Sequence, residues 1–173
     1  MRLLILSDSH RQIREMSMII EKLQKDCDAI LHAGDFVDDI LVFQELYKNK
    51  KFYYVKGNCD FGNEAKKELI IEMGGVRIFM THGHEYSVKY NTDRIIYAAM
   101  EKQADVCIFG HTHCPTCFYE NGILIMNPGS ISMPRRYKYP TYGIINIENK
   151  TPRGSIVAIE SSIIKPAENI QRY

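Results

Sequence analysis

The stretch RLLILSDSH at residues 2–10 decides the fold of this chain. Its first part is an apolar run with the length of one buried strand, and the run leads into Asp8-Ser9-His10. Parallel α/β sheets place their ligand sites beyond the carboxyl ends of the strands, where such polar side chains gather. We therefore expect the same arrangement at other strand ends of the chain.

The first third of the chain alternates predicted strands with predicted helices. Apolar residues recur at helical spacing over residues 12–25 and again over residues 38–47, where Asp38 is expected to cap the helix. Short apolar runs predict strands at residues 29–33 and 52–55. This alternation implies βαβ units and a largely parallel sheet.

The remainder of the chain is predicted to be mainly β-structure. Residues 69–73 and 76–80 are expected to pair as a hairpin around Gly74-Gly75, and residues 92–103 to form a third helix. Further strands are predicted at 106–109, 118–119, 123–126, 142–147 and 155–163, with a turn over 149–154. We expect a single domain over residues 1–173, an α/β fold with two packed sheets and helices outside.

Bulk composition is that of an ordinary globular protein. The 173 residues are 45% hydrophobic and 25% charged, and 22 Lys and Arg nearly balance 21 Asp and Glu. No basic block favours nucleic acid, no apolar run is long enough to span a membrane, and the apolar start is too short for a secretory signal. The odd count of five cysteines argues against a disulfide framework. We therefore predict a cytoplasmic protein.

Four further motifs follow predicted strands as Asp8-Ser9-His10 does. They are Gly34-Asp35, Gly57-Asn58-Cys59-Asp60, Thr81-His82-Gly83-His84 and Gly110-His111-Thr112-His113. Their glycines are expected to let the backbone turn sharply at the strand ends. Each motif alone is weak evidence, but all five in this order predict a metal site built from Asp, Asn and His side chains.

The donor types indicate the class of metal. Mixed carboxylate, amide and imidazole donors suit Mn²⁺, Fe²⁺, Zn²⁺ or a similar ion, whereas Mg²⁺ and Ca²⁺ favour sets made only of oxygen. Two ions roughly 3.5–4 Å apart can hold the attacking and leaving oxygens of a phosphoryl displacement, and water bridging them becomes a hydroxide nucleophile. The sequence therefore predicts a phosphoesterase with two divalent ions, Mn²⁺ being preferred over Fe²⁺, Ni²⁺ and Zn²⁺.

The series of motifs resembles that of the calcineurin-like metallophosphoesterases, D-x-H, G-D, G-N-H-[DE], H-G and G-H-x-H. The small size, the spelling of Gly57-Asn58-Cys59-Asp60 and the loop Asn127-Pro128-Gly129-Ser130 resemble the YfcE-type phosphodiesterase subgroup. The resemblance implies a four-layer α/β/β/α sandwich with two mixed sheets and a dinuclear metal site at the carboxyl ends of strands. It also allows a homo-oligomer, either a dimer or a tetramer.

Two overlapping sets of ligands that share a bridging Asp35 follow from the resemblance, residue by residue. They are Asp8, His10, Asp35 and His113 for one ion, and Asp35, Asn58, His82 and His111 for the other. Asp60 is expected to orient a neighbouring His or a group that faces the substrate. Asn58, Cys59 and Asp60 together form the predicted catalytic group.

Cys59 is a departure from the commoner spelling of the family, which has His at this position. That His is expected to contact the phosphate or protonate the leaving group, whereas Cys59 is a poorer proton donor and carries no positive charge. A diester has one negative charge fewer than a monoester and needs less electrostatic help, so we predict a small phosphodiester substrate. The alternatives are phosphomonoesterase or nuclease activity on the same site, Cys59 as a covalent nucleophile, and a non-catalytic protein-binding scaffold.

Other reactive residues leave alternatives open. His32 is expected in the core or behind the ligands, and His84 at the rim of the cleft, as a substrate contact or a surface residue. Arg135 and Arg136 could bind phosphate through their guanidinium groups or remain solvated. The C-x-x-C at residues 114–117 lacks the four ligands of a structural zinc site, and two incidental thiols in a turn are the preferred interpretation.

Overall fold

The computed structural model describes residues 1–62, 64–160 and, for the backbone, 163–166. Among these residues, no helix has the length and apolar character that a bilayer span requires. A short 3₁₀ helix lies at His84–Tyr86. In chain order the other elements are β1 (Arg2–Leu6), α1 (Arg14–Leu23), β2 (Ala29–His32), α2 (Val37–Leu46), β3 (Lys51–Tyr54), β4 (Glu68–Met73), β5 (Val76–Thr81), α3 (Asp93–Glu101), β6 (Val106–Ile108), β7 (Thr116–Glu120), β8 (Ile123–Asn127), β9 (Thr141–Glu148), β10 (Thr151–Glu160) and β11 (Ile163–Pro166).

The strands form two mixed sheets. The first has the order β11-β10-β9-β1-β2-β3, and the second has the order β4-β5-β6-β8-β7. Strands β1, β2 and β3 run parallel, while β9 is antiparallel to β1. Strands β5, β6 and β8 are also parallel, with β4 and β7 antiparallel at the edges. Each sheet therefore gathers the carboxyl ends of three parallel strands at one edge.

Alternating side chains divide the core into layers. Leu3 and Ile5 of β1 pack in the cluster between the two sheets, together with Met80 of β5. Leu4 and Leu6 belong instead to the cluster that packs α1 and α2 on the outer face of the first sheet. A third cluster packs α3 on the outer face of the second sheet. The layers follow the order α/β/β/α, which confirms the predicted four-layer sandwich.

The start of α2 differs from the prediction. The N-cap residue is Phe36, whose φ of 69° is left-handed, and Asp38 lies inside the first turn, so the predicted Asp38 cap is wrong. The chain leaves β2 through Asp35, which is also left-handed at φ 60°, and enters the helix at once. The carboxylate of Asp60, on a distant loop, accepts a hydrogen bond from the Val37 N–H at 2.7 Å. It thereby caps one of the free N–H groups at the start of α2.

The turn between β9 and β10 is shorter than predicted. Thr151 already pairs with Glu148, so the turn consists of Asn149 and Lys150 instead of residues 149–154. Both turn residues are left-handed, with φ of 48° and 62°, as a tight two-residue hairpin requires. Ser161 and Ser162, part of the strand predicted over 155–163, lie outside the described residues.

Candidate metal centre

Loops that follow four parallel strands converge on one group of polar side chains. Asp8 follows β1, Asp35 follows β2, His82 follows β5 and His113 follows β6. All four are buried, with exposures of 0%, 2%, 0% and 5%. Because β1 and β2 belong to one sheet and β5 and β6 to the other, the group lies where the edges of the two sheets meet.

Four of the predicted ligands form a tight cluster. Asp8, His10, Asp35 and His113 each offer a ligand atom, and these atoms all lie within 4.8 Å of one another. The Nε2 atoms of His10 and His113 are 3.1 Å apart, and His113 Nε2 is 3.3 Å from Asp8 Oδ1. These are the four residues that the resemblance gives for one ion, and their coordination of that ion stays a prediction.

The second predicted set is only partly brought together. His82 Nε2 lies 3.3 Å from Asp35 Oδ1, and the ring centroid of His111 is 5.1 Å from that of His82. Asn58 is exposed, and its amide donates a hydrogen bond to Cys59 Sγ at 3.3 Å. Among the described residues, no hydrogen bond joins the Asn58 side chain to the cluster.

Backbone carbonyls set the orientation of two histidine rings. His82 Nδ1 is 2.7 Å from the carbonyl oxygen of Ala33, and His113 Nδ1 is 2.7 Å from that of Met133. A carbonyl only accepts, so Nδ1 carries the proton in each neutral ring and the Nε2 lone pair faces the cluster. Both rings are therefore oriented as metal ligands.

Unsatisfied buried atoms support the same interpretation. Asp8 Oδ1 and His82 Nε2 are buried and have no hydrogen-bond partner among the described residues. Buried polar atoms normally have partners, and a cation would supply one for both of these. The residues present therefore fit a divalent ion.

The charge state of the cluster also suits a cation. Burial raises the pKa of Asp8, but the His113 ring, whose Nε2 lies 3.3 Å from Asp8 Oδ1, and the nearby charge of His82 outweigh burial and lower it. Burial likewise opposes the charge of Asp35, yet His82 holds its pKa well below the usual range. Burial, His82 and Lys89 lower the pKa of His111 to about 4, so this ring is neutral. Burial lowers the pKa values of His82 and His113, but the neighbouring carboxylates of Asp35 and Asp8 outweigh burial and raise them. The centre thus presents two ionised carboxylates, and a bound cation would take the place of the protons on these two rings.

At Gly57 and Gly110 other atoms lie so close to the backbone that a side chain would not fit. A Cβ on Gly57 would lie 2.6 Å from the backbone nitrogen of Asp35 and even closer to Asp35 Oδ1. A Cβ on Gly110 would meet Ser7 Oγ first and would lie 2.8 Å from Asp8 Oδ2. Sharp turning was the predicted reason for these glycines, but the space occupied by Asp35 is the reason at Gly57, and the space occupied by Ser7 and Asp8 is the reason at Gly110.

Asp60 fixes backbone instead of orienting a histidine. Its Oδ2 accepts hydrogen bonds from the N–H groups of Gly57 at 2.7 Å and Asp35 at 3.1 Å, and its Oδ1 accepts from Val37. Among the described residues, no hydrogen bond joins Asp60 to a histidine ring. Its contacts hold the loop after β2 against the loop after β3.

Cys59 lies beside Asp35. Its backbone N–H donates to Asp35 Oδ1 at 2.9 Å. Burial and the hydrogen bond to Asp35 raise the pKa of its thiol to about 11, so the side chain is a neutral thiol near neutral pH. A thiol in that state is a weak nucleophile.

The loop after β8 supports the cluster in a way that sequence reasoning missed. Ser130 Oγ donates to the carbonyl oxygen of Asp8 at 2.7 Å and accepts the Met133 N–H at 2.7 Å. Fully buried Asn127 donates to the Gly110 carbonyl oxygen at 2.7 Å. The available signal was the same as for the ligands, a polar stretch directly after a buried strand.

The remaining residues that the sequence marked lie around the centre. His32 is fully buried, its Nδ1 accepts the Gly34 N–H, and burial lowers its pKa to about 4, which confirms a core position. The ring centroid of His84 is 5.4 Å from that of His82, so His84 borders the centre. Cys114 and Cys117 are free thiols.

Comparisons with known proteins agree with the motifs. The calcineurin-like phosphoesterase superfamily domain matches residues 1–150. The probable metallophosphoesterase YsnB of Bacillus subtilis is 36% identical over 153 residues, 86% of each chain. The phosphodiesterase YfcE of Escherichia coli is 30% identical over 106 residues, 56% of this chain and 53% of YfcE.

Solved structures share the whole fold. A predicted phosphoesterase from Streptococcus pneumoniae has a TM-score of 0.79 and 28% identity over 96% of each chain. Vps29 of Entamoeba histolytica, solved with Zn²⁺, has a TM-score of 0.80 over 96% of this chain and 97% of its own, but at 18% identity it shows the fold alone. With the family domain over residues 1–150, this chain is an enzyme of the calcineurin-like phosphoesterase superfamily.

Proposed function

We propose that this enzyme hydrolyses a small phosphodiester with two divalent ions, held by the two ligand sets that share Asp35. The observation that carries the proposal is the pair of buried, unsatisfied atoms Asp8 Oδ1 and His82 Nε2, which lie 4.0 Å apart, with Asp35 Oδ1 3.3 Å from His82 Nε2. Divalent ions, when bound, supply Lewis acidity and a water that loses its proton near neutral pH. The name phosphodiesterase, carried by the relative YfcE, supports the same reaction.

The chain's own residues position the reaction. Asp35 contacts both sets, because Oδ2 lies 3.7 Å from His10 Nε2 while Oδ1 lies 3.3 Å from His82 Nε2. Ser130 holds the backbone of Asp8, and Asp60 holds the backbone of Asp35. Rigid support of this kind keeps the ligands preorganised, so less free energy is spent on reorganising them when a cation binds.

The neutral thiol of Cys59 favours a diester over a monoester. Near neutral pH it adds no positive charge beside the substrate. Compared with a protonated histidine at this position, the thiol therefore withdraws more electrostatic stabilisation from a monoester dianion than from a diester monoanion. We assign Cys59 a contact role and leave nucleophilic attack to water.

Mn²⁺ is the proposed ion, because mixed carboxylate and imidazole donors suit it. Fe²⁺, Ni²⁺ and Zn²⁺ are the ions against which it has to be compared. The cytoplasm as the place of action, one domain over residues 1–173 and a homo-oligomer stay predictions.

Hydrolysis of bis(4-nitrophenyl) phosphate tests the proposal. Protein treated with a chelator is compared with and without added Mn²⁺, for wild type, Asp35→Asn and the exposed control Asp26→Asn. We expect activity only with the ion, and at least about a hundredfold loss for Asp35→Asn alone. The proposal would be overturned if hydrolysis were equally fast with and without added metal, or if no hydrolysis were seen with any of the four ions.

The competing activities are separate arms of the same experiment. Faster hydrolysis of 4-nitrophenyl phosphate than of the diester would make the enzyme a monoesterase. Faster cleavage of single-stranded nucleic acid would make it a nuclease. If no ion raises the melting temperature, a protein-binding scaffold becomes the better interpretation.

A further inference from the structure

We propose that a cationic pocket beside the metal centre binds a second phosphate, carried by one of the two ester groups of the substrate. This inference rests on the proposed phosphodiesterase function and names the class of diester. The pocket has a volume of about 430 Å³. That volume is enough for an organic group that carries a phosphate.

The pocket adjoins the metal centre through one loop. Thr112 lines the pocket and lies between the predicted ligands His111 and His113. The backbone N–H of Arg135, also in the lining, donates to the carbonyl oxygen of His113 at 3.0 Å. A diester at the centre can therefore extend one of its ester groups into this pocket.

The charge of the lining is one-sided. Lys89, Arg135 and Arg136 line the pocket, and no Asp or Glu does. In the ranges 1–62 and 64–160, no ion pair joins the side chain of Lys89 or Arg135 to a carboxylate.

The positive charge of this lining is larger than the single negative charge of a diester requires. A phosphodiester linkage carries one negative charge, and the proposed divalent ions would already neutralise that charge. The guanidinium of Arg135 can bind two phosphate oxygens side by side, and Lys89 adds a point charge. The buried side chains of Val88 and Phe109 give the same pocket an apolar wall for the organic part of the ester. A phosphorylated alcohol combines both features.

A matched pair of substrates tests the proposal. Thymidine 5′-(4-nitrophenyl phosphate) is compared with the same diester bearing a 3′-phosphate, using Mn²⁺-loaded protein. We expect wild type to show a KM lower by at least about tenfold for the phosphorylated diester. The double variant Lys89→Gln/Arg135→Gln should bring the ratio of the two KM values close to one. Lys138→Gln is the charge control, because Lys138 lies over the ring of Tyr139 and does not line the pocket.

A binding experiment separates this proposal from the proposed function. Calorimetry without added metal compares thymidine 3′,5′-bisphosphate with thymidine 5′-monophosphate, for wild type, the double variant and Lys138→Gln. The pocket is supported if wild type and Lys138→Gln bind the bisphosphate more tightly than the monophosphate and the double variant does not. This holds even if no diester is hydrolysed. Equal binding of the two nucleotides by wild type overturns it. Equal KM values for the two diesters also overturn it, while the phosphodiesterase itself stands.

Discussion

His10 Nε2 and His113 Nε2 lie 3.1 Å apart, although the two residues are 103 positions apart in the chain. His113 Nδ1 donates its proton to the carbonyl oxygen of Met133. In the neutral ring, Nε2 therefore carries the lone pair, and this lone pair faces His10. Two imidazole nitrogens that close, beside the carboxylate of Asp8, form the donor side of the candidate metal site.

Removing this imidazole should weaken metal-induced stabilisation. For wild type, Mn²⁺ at one hundred times its Kd should add about 2.7 kcal/mol and raise Tm by about 5–10 °C. His113→Gln removes the Nε2 donor and should abolish most of that rise, as measured by calorimetry over a Mn²⁺ titration. His84→Gln is the control, since His84 borders the centre outside both predicted ligand sets. An equal loss for both variants would contradict the assignment.

A methyl group at Gly57 should displace Asp35. The added Cβ would lie 2.6 Å from the Asp35 nitrogen, so the two loops have to separate. We expect Gly57→Ala to cost about 1–3 kcal/mol of unfolding free energy and to weaken Mn²⁺ binding strongly. Urea unfolding and metal titration measure the two effects.

Gly62→Ala is the control for that substitution. Among the described residues outside its chain neighbours, a Cβ on Gly62 would meet no atom within 4 Å, although its φ of +73° disfavours alanine. It should cost about 1 kcal/mol and leave metal affinity intact. If Gly57→Ala binds Mn²⁺ as tightly as Gly62→Ala, the close approach at Gly57 does not shape the centre.

Asp60 should act on stability as well as on activity. An amide in its place offers one acceptor oxygen where three N–H groups now donate to two oxygens. We expect Asp60→Asn to cost about 1–3 kcal/mol, read from the urea midpoint, and to lower activity in parallel. Asp26→Asn, on an exposed carboxylate, should change neither. Lost activity at unchanged stability would instead place Asp60 in contact with the substrate.

An imidazole at position 59 should shift the enzyme toward monoesters. Cys59→His introduces a group that can donate a proton and carry positive charge beside the phosphate. We expect the ratio of kcat/KM for 4-nitrophenyl phosphate to that for the diester to rise about tenfold or more. Cys59→Ser, which adds no charge, should keep the wild-type ratio. If Cys59→His leaves the ratio as it is, the thiol does not explain the diester preference.

The motif residues of the centre could be predicted because one rule covers them. Asp8, Asp35 and His82 each come directly after a buried apolar run, and parallel strands bring such positions to one edge. The four layers followed in the same way, from the alternation of elements and from the resemblance. Local pattern predicted two packed sheets with helices outside, and the resemblance implied the four-layer order.

The supporting contacts could not be predicted, because they depend on long-range packing. Ser130 reaches the carbonyl of Asp8 across 122 positions, and nothing near Ser130 in the sequence points to that partner. Asp60 was expected to orient a neighbouring histidine or a group that faces the substrate, and in the structure its oxygens accept the N–H groups of Gly57 and Val37. Backbone amides carry no sequence signal, so the partners of a motif carboxylate become visible only in three dimensions.

The position of the centre between two sheets has a kinetic consequence. Asp8 and Asp35 come from the first sheet, while His82 and His113 come from the second, so the ligand set exists only after both sheets have docked. A bound cation then acts like a cross-link between the two halves, resembling a disulfide in effect but reversible on chelation. Separation of the sheets has to break it, so the ion should slow unfolding while leaving the earliest steps of folding unchanged.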